Sequence, residues 1–137
     1  MAYSQEILHR AKVRLAQAKQ AHEEEDAARI SRIYREIPRL REIDLALRRT
    51  MAQVMAVTFQ RGQDPAQAIV KIKEENLALQ QERDWLLQAN DLEEADLATT
   101  PICPICGGSG YIGARMCDCL KELCRQEQKN ELTSLLG

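Results

Sequence analysis

Aromatic side chains make up only 4% of this 137-residue sequence, with one Trp and one Phe. A β-sandwich or barrel depends on aromatic and β-branched residues to fill its sheet faces, so their scarcity favours helices with narrow apolar stripes. No apolar run reaches the ~18 residues needed to cross a bilayer. The opening MAYSQEILHRAK has no basic lead followed by a hydrophobic signal core. A soluble, cytoplasmic protein without membrane contact is expected. Also missing are a G-x-x-x-x-G-K-[ST] phosphate loop, a G-x-S-x-G turn and an H-E-x-x-H helix, so no catalytic and no cofactor-binding residue is indicated. The only two histidines, His9 and His22, fall in stretches read as exposed helix.

Charge of one sign is lacking too. The net charge is −2, split between a first part, residues 1–61, with 12 Lys/Arg against 8 Asp/Glu, and residues 62–137 with 7 against 13. Neither half approaches the basicity of a stand-alone nucleic-acid-binding domain, and a protein partner is the first expectation. The rows Arg10, Arg14, Lys19 and Arg29, Arg32, Arg35, Arg39 read as solvated helix faces, as do Glu74/Glu75 and Glu93/Glu94.

What is present is mostly helical pattern. Ser4 suits the cap of a first helix with Ile7 or Leu8, Ala11, Leu15 and Ala18 at helical spacing. Whether it continues through Glu23-Glu24-Glu25-Asp26 is open. Pro38 removes a backbone donor and pushes Ile37 out of helical geometry, so a new helix should begin there. Leu40, Ile43, Leu47, Met51, Val54 and Met55 then recur every three or four residues to about Gln60. In Arg61-Gly62-Gln63-Asp64-Pro65, Gly62 suits a left-handed C-terminal cap, Asp64 an N-cap and Pro65 the first helical position. The helix over 65–90 spaces Ile72, Leu79 and Leu86 by seven, with Ile69, Asn76 and Arg83 beside them. That seam can close an antiparallel hairpin or pair with another chain; the short connection favours the hairpin. Residues 91–100 read as an acidic linker or brief helical turn, and 120–136 as a last helix with Leu120, Leu123, Leu132, Leu135 and Leu136.

All five cysteines lie within residues 101–124, PICPICGGSGYIGARMCDCLKELC. Cys103 and Cys106 face Cys117 and Cys119 across a glycine-bearing connector, the pattern of a small tetrahedral zinc site. Tyr111 and Ile112 should form one strand, Gly113 the turn, and 116–118 the return, a zinc-ribbon-like hairpin. Four thiolates complete a structural site, so the expected ligands are Cys103, Cys106, Cys117 and Cys119, with Cys124 as the alternative fourth in place of Cys119. One structural zinc per chain follows. Clustered thiols in odd number fit disulfides poorly. Glycines after the C-x-x-C speak against a thioredoxin-like role, and no histidine lies near for catalytic zinc.

The run CPICGGSGYIGARMCDCLKELC resembles the cysteine module of bacterial and phage helicase loaders of the DnaC/DnaI type, in which a CPxCxGxGY segment and a following CxC sit between an N-terminal helical region and an AAA+ ATPase domain. Residues 33–44, IYREIPRLREID, are similar to the N-terminal region of the same proteins. The resemblance implies their N-terminal half only, a region that engages the replicative DNA helicase. The Walker A loop, Walker B acid and arginine finger of those loaders have no counterpart here, so neither ATP binding nor hydrolysis is carried over.

The expectation is thus a mainly α chain: a helical hairpin or bundle over 1–95 that meets the helicase, then a cysteine module with a C-terminal helix over 96–137. Two rival readings are a zinc-ribbon nucleic-acid-binding regulator and a DnaJ-like chaperone module. Arg115, Lys121 and Arg125 stand against Asp118 and Glu122, so only weak single-stranded or duplex DNA contact is expected. The DnaJ-like C-x-x-C-x-G-x-G string occurs once, where chaperone modules repeat it.

Overall fold

The computed structural model describes residues 3–59, 62 and 64–137. The chain is mainly helical, as expected. Ser4 Oγ accepts the Ile7 N–H at 3.2 Å and opens helix α1, Gln5–Glu36. The acidic cluster does not interrupt it, because Glu23, Glu24 and Glu25 point to solvent. Asp26 is only 4% exposed and accepts the backbone N–H of Thr100 at 3.1 Å. Pro38 ends α1 and opens α2, Pro38–Arg48, with Ile37 at φ −129° between them.

The single helix expected over 38–60 is divided. Helix α3 spans Thr50–Thr58, with Arg49 between it and α2. The Arg49 N–H is shared between the carbonyls of Leu45 and Ala46, both at 3.2 Å, and Thr50 Oγ1 also donates to Ala46, at 3.4 Å. Such back-bonding tightens and bends a helix locally. The apolar stripe divides with it. Leu40 and Ile43 are buried and Leu47 and Val54 half-buried, but Met51 and Met55 are 70% and 53% exposed. The expected helix end at Gln60, and Arg61 and Gln63 after it, lie outside the described residues. Gly62 has the left-handed φ, +86°. Asp64 accepts the Ala66 N–H at 3.0 Å, and Pro65 begins α4, Pro65–Ala89.

Packing divides the chain into two compact units, and α1 supplies residues to both. In Arg29–Ala98, α2 and α3 pack on α4. The half-buried residues of α4 include Ile69, Ile72, Asn76, Leu79, Arg83 and Leu86, so the seam with a seven-residue repeat closes a hairpin within the chain. Its one amide, Asn76, donates to Thr50 Oγ1 at 2.9 Å. Ile33, Leu40 and Leu87 form the core, with Tyr34, Ile37, Leu92 and Leu97 against it. The acidic linker contains a short helix, α5, Glu94–Leu97. Its end is held by Arg29, whose guanidinium donates to the carbonyls of Asp96 at 3.0 Å and Ala98 at 2.7 Å.

A polar network closes this unit. Arg83 bonds Asp44 at 2.7 Å and grips both oxygens of Glu94, while Tyr34 donates its hydroxyl to the other Asp44 oxygen. Burial, and then the Asp44 carboxylate, push the Tyr34 phenol up to about 12. Because the folded pKa lies above the unfolded value of ~10, the stability Tyr34 contributes is complete below that value and is lost as pH rises through about 12. Tyrosinate absorbance should therefore show one phenol ionising near pH 12 that disappears in Tyr34→Phe. Its persistence in the variant would remove the assignment.

The second unit joins the chain up to Ala28 with Thr99–Gly137, so the part of α1 up to Ala28 packs with the cysteine module. Strands β1, Tyr111–Ile112, and β2, Arg115–Met116, pair antiparallel, with Tyr111 opposite Met116 and Ile112 opposite Arg115. Gly113, φ +62°, turns the chain between them. The return strand is one step earlier than the 116–118 expected, since Cys117 already serves as N-cap of α6, Asp118–Leu136. Ile7, Ala11 and Leu15 of α1 meet Leu120 and Cys124 of α6 in a core. Arg14 ties the same helices through Glu127 at 3.1 Å and Gln126 at 2.8 Å. Beyond that core the apolar residues of α6 face outward, with Leu132, Leu135 and Leu136 all more than half exposed.

Candidate metal centre

The centre is assembled by two backbone turns brought face to face. After Cys103 and Cys106 the chain curls back, with the Gly107 N–H donating to the Cys103 carbonyl at 2.8 Å. Gly107 and Gly108 both take positive φ, +71° and +100°, which the curl requires and side-chain-bearing residues rarely adopt. The opposite turn enters α6: Cys117 donates its N–H to the Gly110 carbonyl at 2.8 Å, and its own carbonyl accepts from Leu120 and Lys121 at 3.1 Å. Gly110 links the two halves.

The sulfur atoms of Cys103, Cys106, Cys117 and Cys119 lie within 4.8 Å of one another. Cys103 Sγ is 3.8 Å from Cys117 Sγ, and Cys106 Sγ is 3.5 Å from Cys119 Sγ. A tetrahedron with metal–sulfur bonds of about 2.3 Å has edges of about 3.8 Å, so these spacings fit one four-coordinate cation. Cys103 and Cys117 are buried and the other two half-buried.

The surroundings prepare one thiolate before the others. Burial disfavours ionised Cys106, but the backbone N–H groups of Gly108 and Gly110 and the thiols of Cys119 and Cys103 outweigh it and bring its pKa down to about 6. Gly110 N–H lies 3.4 Å from the sulfur. Cys119 is pushed up, first by burial and then by the adjoining thiols. At Cys117 the Cys119 N–H favours the thiolate, yet burial and the thiols of Cys103 and Cys106 prevail and raise its pKa. Four thiolates without a cation are mutually repulsive, and a divalent ion removes that penalty while displacing the protons. These four residues can hold a metal ion.

Cys124 is not part of the cluster. It is fully buried among Ile7, Ala11, Leu15 and Leu120, where burial raises its pKa while Lys12 opposes the rise. It lies six residues past the first residue of α6, nearly two turns along the helix, and its side chain serves the core.

Other residues singled out in the sequence have structural partners. Arg10 pairs with Glu6, Arg39 with Glu42 and with both oxygens of Glu82, and Glu94 with Arg83. The basic rows are thus largely engaged within the chain. His9 is exposed, but His22 is not the free surface residue expected: its Nε2 lies 2.8 Å from the Thr100 carbonyl and 3.6 Å from Asp26. Together His22 and Asp26 hold Thr100, just before the cysteine segment. Sequence reasoning missed both; their one signal is the i, i+4 spacing of a histidine and an acid on a helix otherwise lined by exposed glutamates.

No family profile, no curated protein and no solved structure matches this chain. No helix among the described residues is long and apolar enough to cross a membrane.

Proposed function

We propose that this chain is a non-catalytic, zinc-stapled interaction region of the helicase-loader kind, whose helical part engages a replicative DNA helicase in the cytoplasm. The observation that carries the reading is the four-cysteine cluster at Cys103, Cys106, Cys117 and Cys119, formed by the same CPxCxGxGY and CxC segments on which the loader resemblance rests. The second resembling segment, 33–44, is also an ordered corner: Ile33, Leu40 and Ile43 are buried, and Tyr34 bonds Asp44. Zinc is the metal proposed. A tetrathiolate tetrahedron suits it, a closed four-ligand site leaves no position for substrate, and its role is to stabilise the fold.

Metal analysis of the purified protein should give one zinc per chain. Biolayer interferometry of the zinc-loaded protein against the cognate replicative helicase should detect association at micromolar concentration. Zinc without helicase binding would leave the metal centre standing and overturn the loader reading; iron in place of zinc would overturn the metal. A nucleic-acid regulator has less support, because Lys121 and Arg125 lie beside Asp118 at 3.7 Å and Glu122 at 3.2 Å. Nanomolar duplex binding at physiological salt would reverse that order.

A further inference from the structure

One side of helix α4 closes the hairpin; the other presents Val70, Leu77 and Trp85, which are 54%, 56% and 66% exposed. At ~100° per residue these three fall within about 80° of one another, spanning about 22 Å from Val70 to Trp85, with the exposed Glu74 and Gln81 between them. Exposed large side chains aligned in this way mark an interaction surface more than scattered ones do.

The charges beside the stripe point to its occupant. Lys73 and Asp84 are both exposed, and neither has an ion pair among the described residues. They lie eleven residues apart, about 20° in helical projection, so they stand on the same flank of the stripe. In an antiparallel two-fold pairing, residues on one flank meet the same flank of the other copy. With the two-fold axis near Leu77, each Lys73 then reaches the partner copy's Asp84, while Val70 and Trp85 approach from opposite ends. A parallel pairing would instead bring opposite flanks together, leaving Lys73 and Asp84 of the two copies on different sides of the contact and apart. On the opposite flank, Lys71 and Glu82 have the same spacing, with Glu82 already held by Arg39.

We infer that the exposed face of α4 is a self-association surface, on which a second copy of this chain docks antiparallel about Leu77. The contact is helix on helix and smaller than the ~800 Å² per partner of a standard interface, so dissociation in the range of roughly 10–100 μM is expected. This inference depends neither on the metal nor on a helicase partner.

Sedimentation velocity of the full chain from ~1 to ~300 μM tests it, spanning the affinity expected for a small interface. The expected result is a monomer–dimer equilibrium accompanied by a blue shift of Trp85 emission, which reports alone because the chain has one Trp. Leu77→Glu should be monomeric throughout with unchanged helical circular dichroism, since its side chain is exposed in the isolated chain. Lys73→Glu should weaken dimerisation about tenfold, because symmetry counts each lost pair twice, and Lys73→Glu with Asp84→Lys should restore it. A wild-type monomer at every concentration would overturn the proposal. So would association that Leu77→Glu leaves intact, or a double charge exchange that fails to restore it. A monomer whose Trp85 emission shifts only on adding a different protein would overturn it as well and give the face to that partner.

Discussion

Cys117→Ser is expected to release the bound metal from the purified protein, and Cys124→Ser to retain it. The two residues are alike in type and burial, both close to fully inaccessible, so burial does not separate them. Geometry does. Cys117 Sγ sits 3.8 Å from Cys103 Sγ, inside the group of four sulfurs, whereas Cys124 packs on Ile7, Ala11 and Leu15. A serine at 117 leaves three thiolates and a poor fourth donor. The cation that offset thiolate repulsion is lost, and with it the link between the two backbone turns. Because Cys117 also caps α6 and its carbonyl accepts from Leu120 and Lys121, local unfolding should reach the start of that helix. At 124, serine places a hydroxyl in an apolar core. The expected cost is about 1–3 kcal/mol, seen as a lower denaturation midpoint with metal content unchanged. Metal per chain, measured on both variants after the same chelator wash, decides the matter. Loss of metal from Cys124→Ser with retention in Cys119→Ser would make Cys124 the fourth ligand in place of Cys119.

Local chemistry is what the sequence made legible. Pro38, Asp64 and Pro65 act on their own backbone neighbours, so the starts of α2 and α4 fall where a reading of single residues puts them. The cysteine hairpin is equally local, since ligand spacing and glycines with positive φ determine the turn together. What failed to show were arrangements set by distant partners. The break at Arg49 depends on Thr50 bonding back to Ala46, an option every helical threonine has and few use to divide a helix. The placing of α1 against the cysteine module rests on Ile7, Ala11 and Leu15, an alanine-containing stripe that does not say which surface it meets. His22 read as exposed helix, and Asp26 as one of an acidic cluster, because their shared partner, Thr100, lies 74 residues beyond Asp26.

Gly110→Ala should destabilise the cysteine unit by about 2–4 kcal/mol, while Gly113→Ala should cost about 1 kcal/mol. Both glycines take positive φ, +86° and +62°, so both substitutions incur the left-handed penalty of a side-chain-bearing residue. Only at 110 is space also short. A Cβ there would stand 3.0 Å from Leu120 Cδ2 and 3.1 Å from Leu15 Cδ2, two side chains of the same buried core, whereas none lies within 4 Å at 113. Leu15 and Leu120 are too enclosed to move aside freely, and shifting either disturbs the contact between α1 and α6. Gly110 also donates its N–H to Cys106 Sγ and accepts from Cys117, so a displaced backbone at 110 pulls on both cysteine turns at once. Chemical denaturation with zinc present, together with the rate of zinc transfer to a chromogenic chelator, distinguishes the two variants. Gly110→Ala should transfer metal faster than wild type by about tenfold or more, as expected when a few kcal/mol of fold stability is lost, and Gly113→Ala by only a few-fold. Equal transfer rates in the two variants would mean that close packing at Gly110 does not hold the metal turns in place.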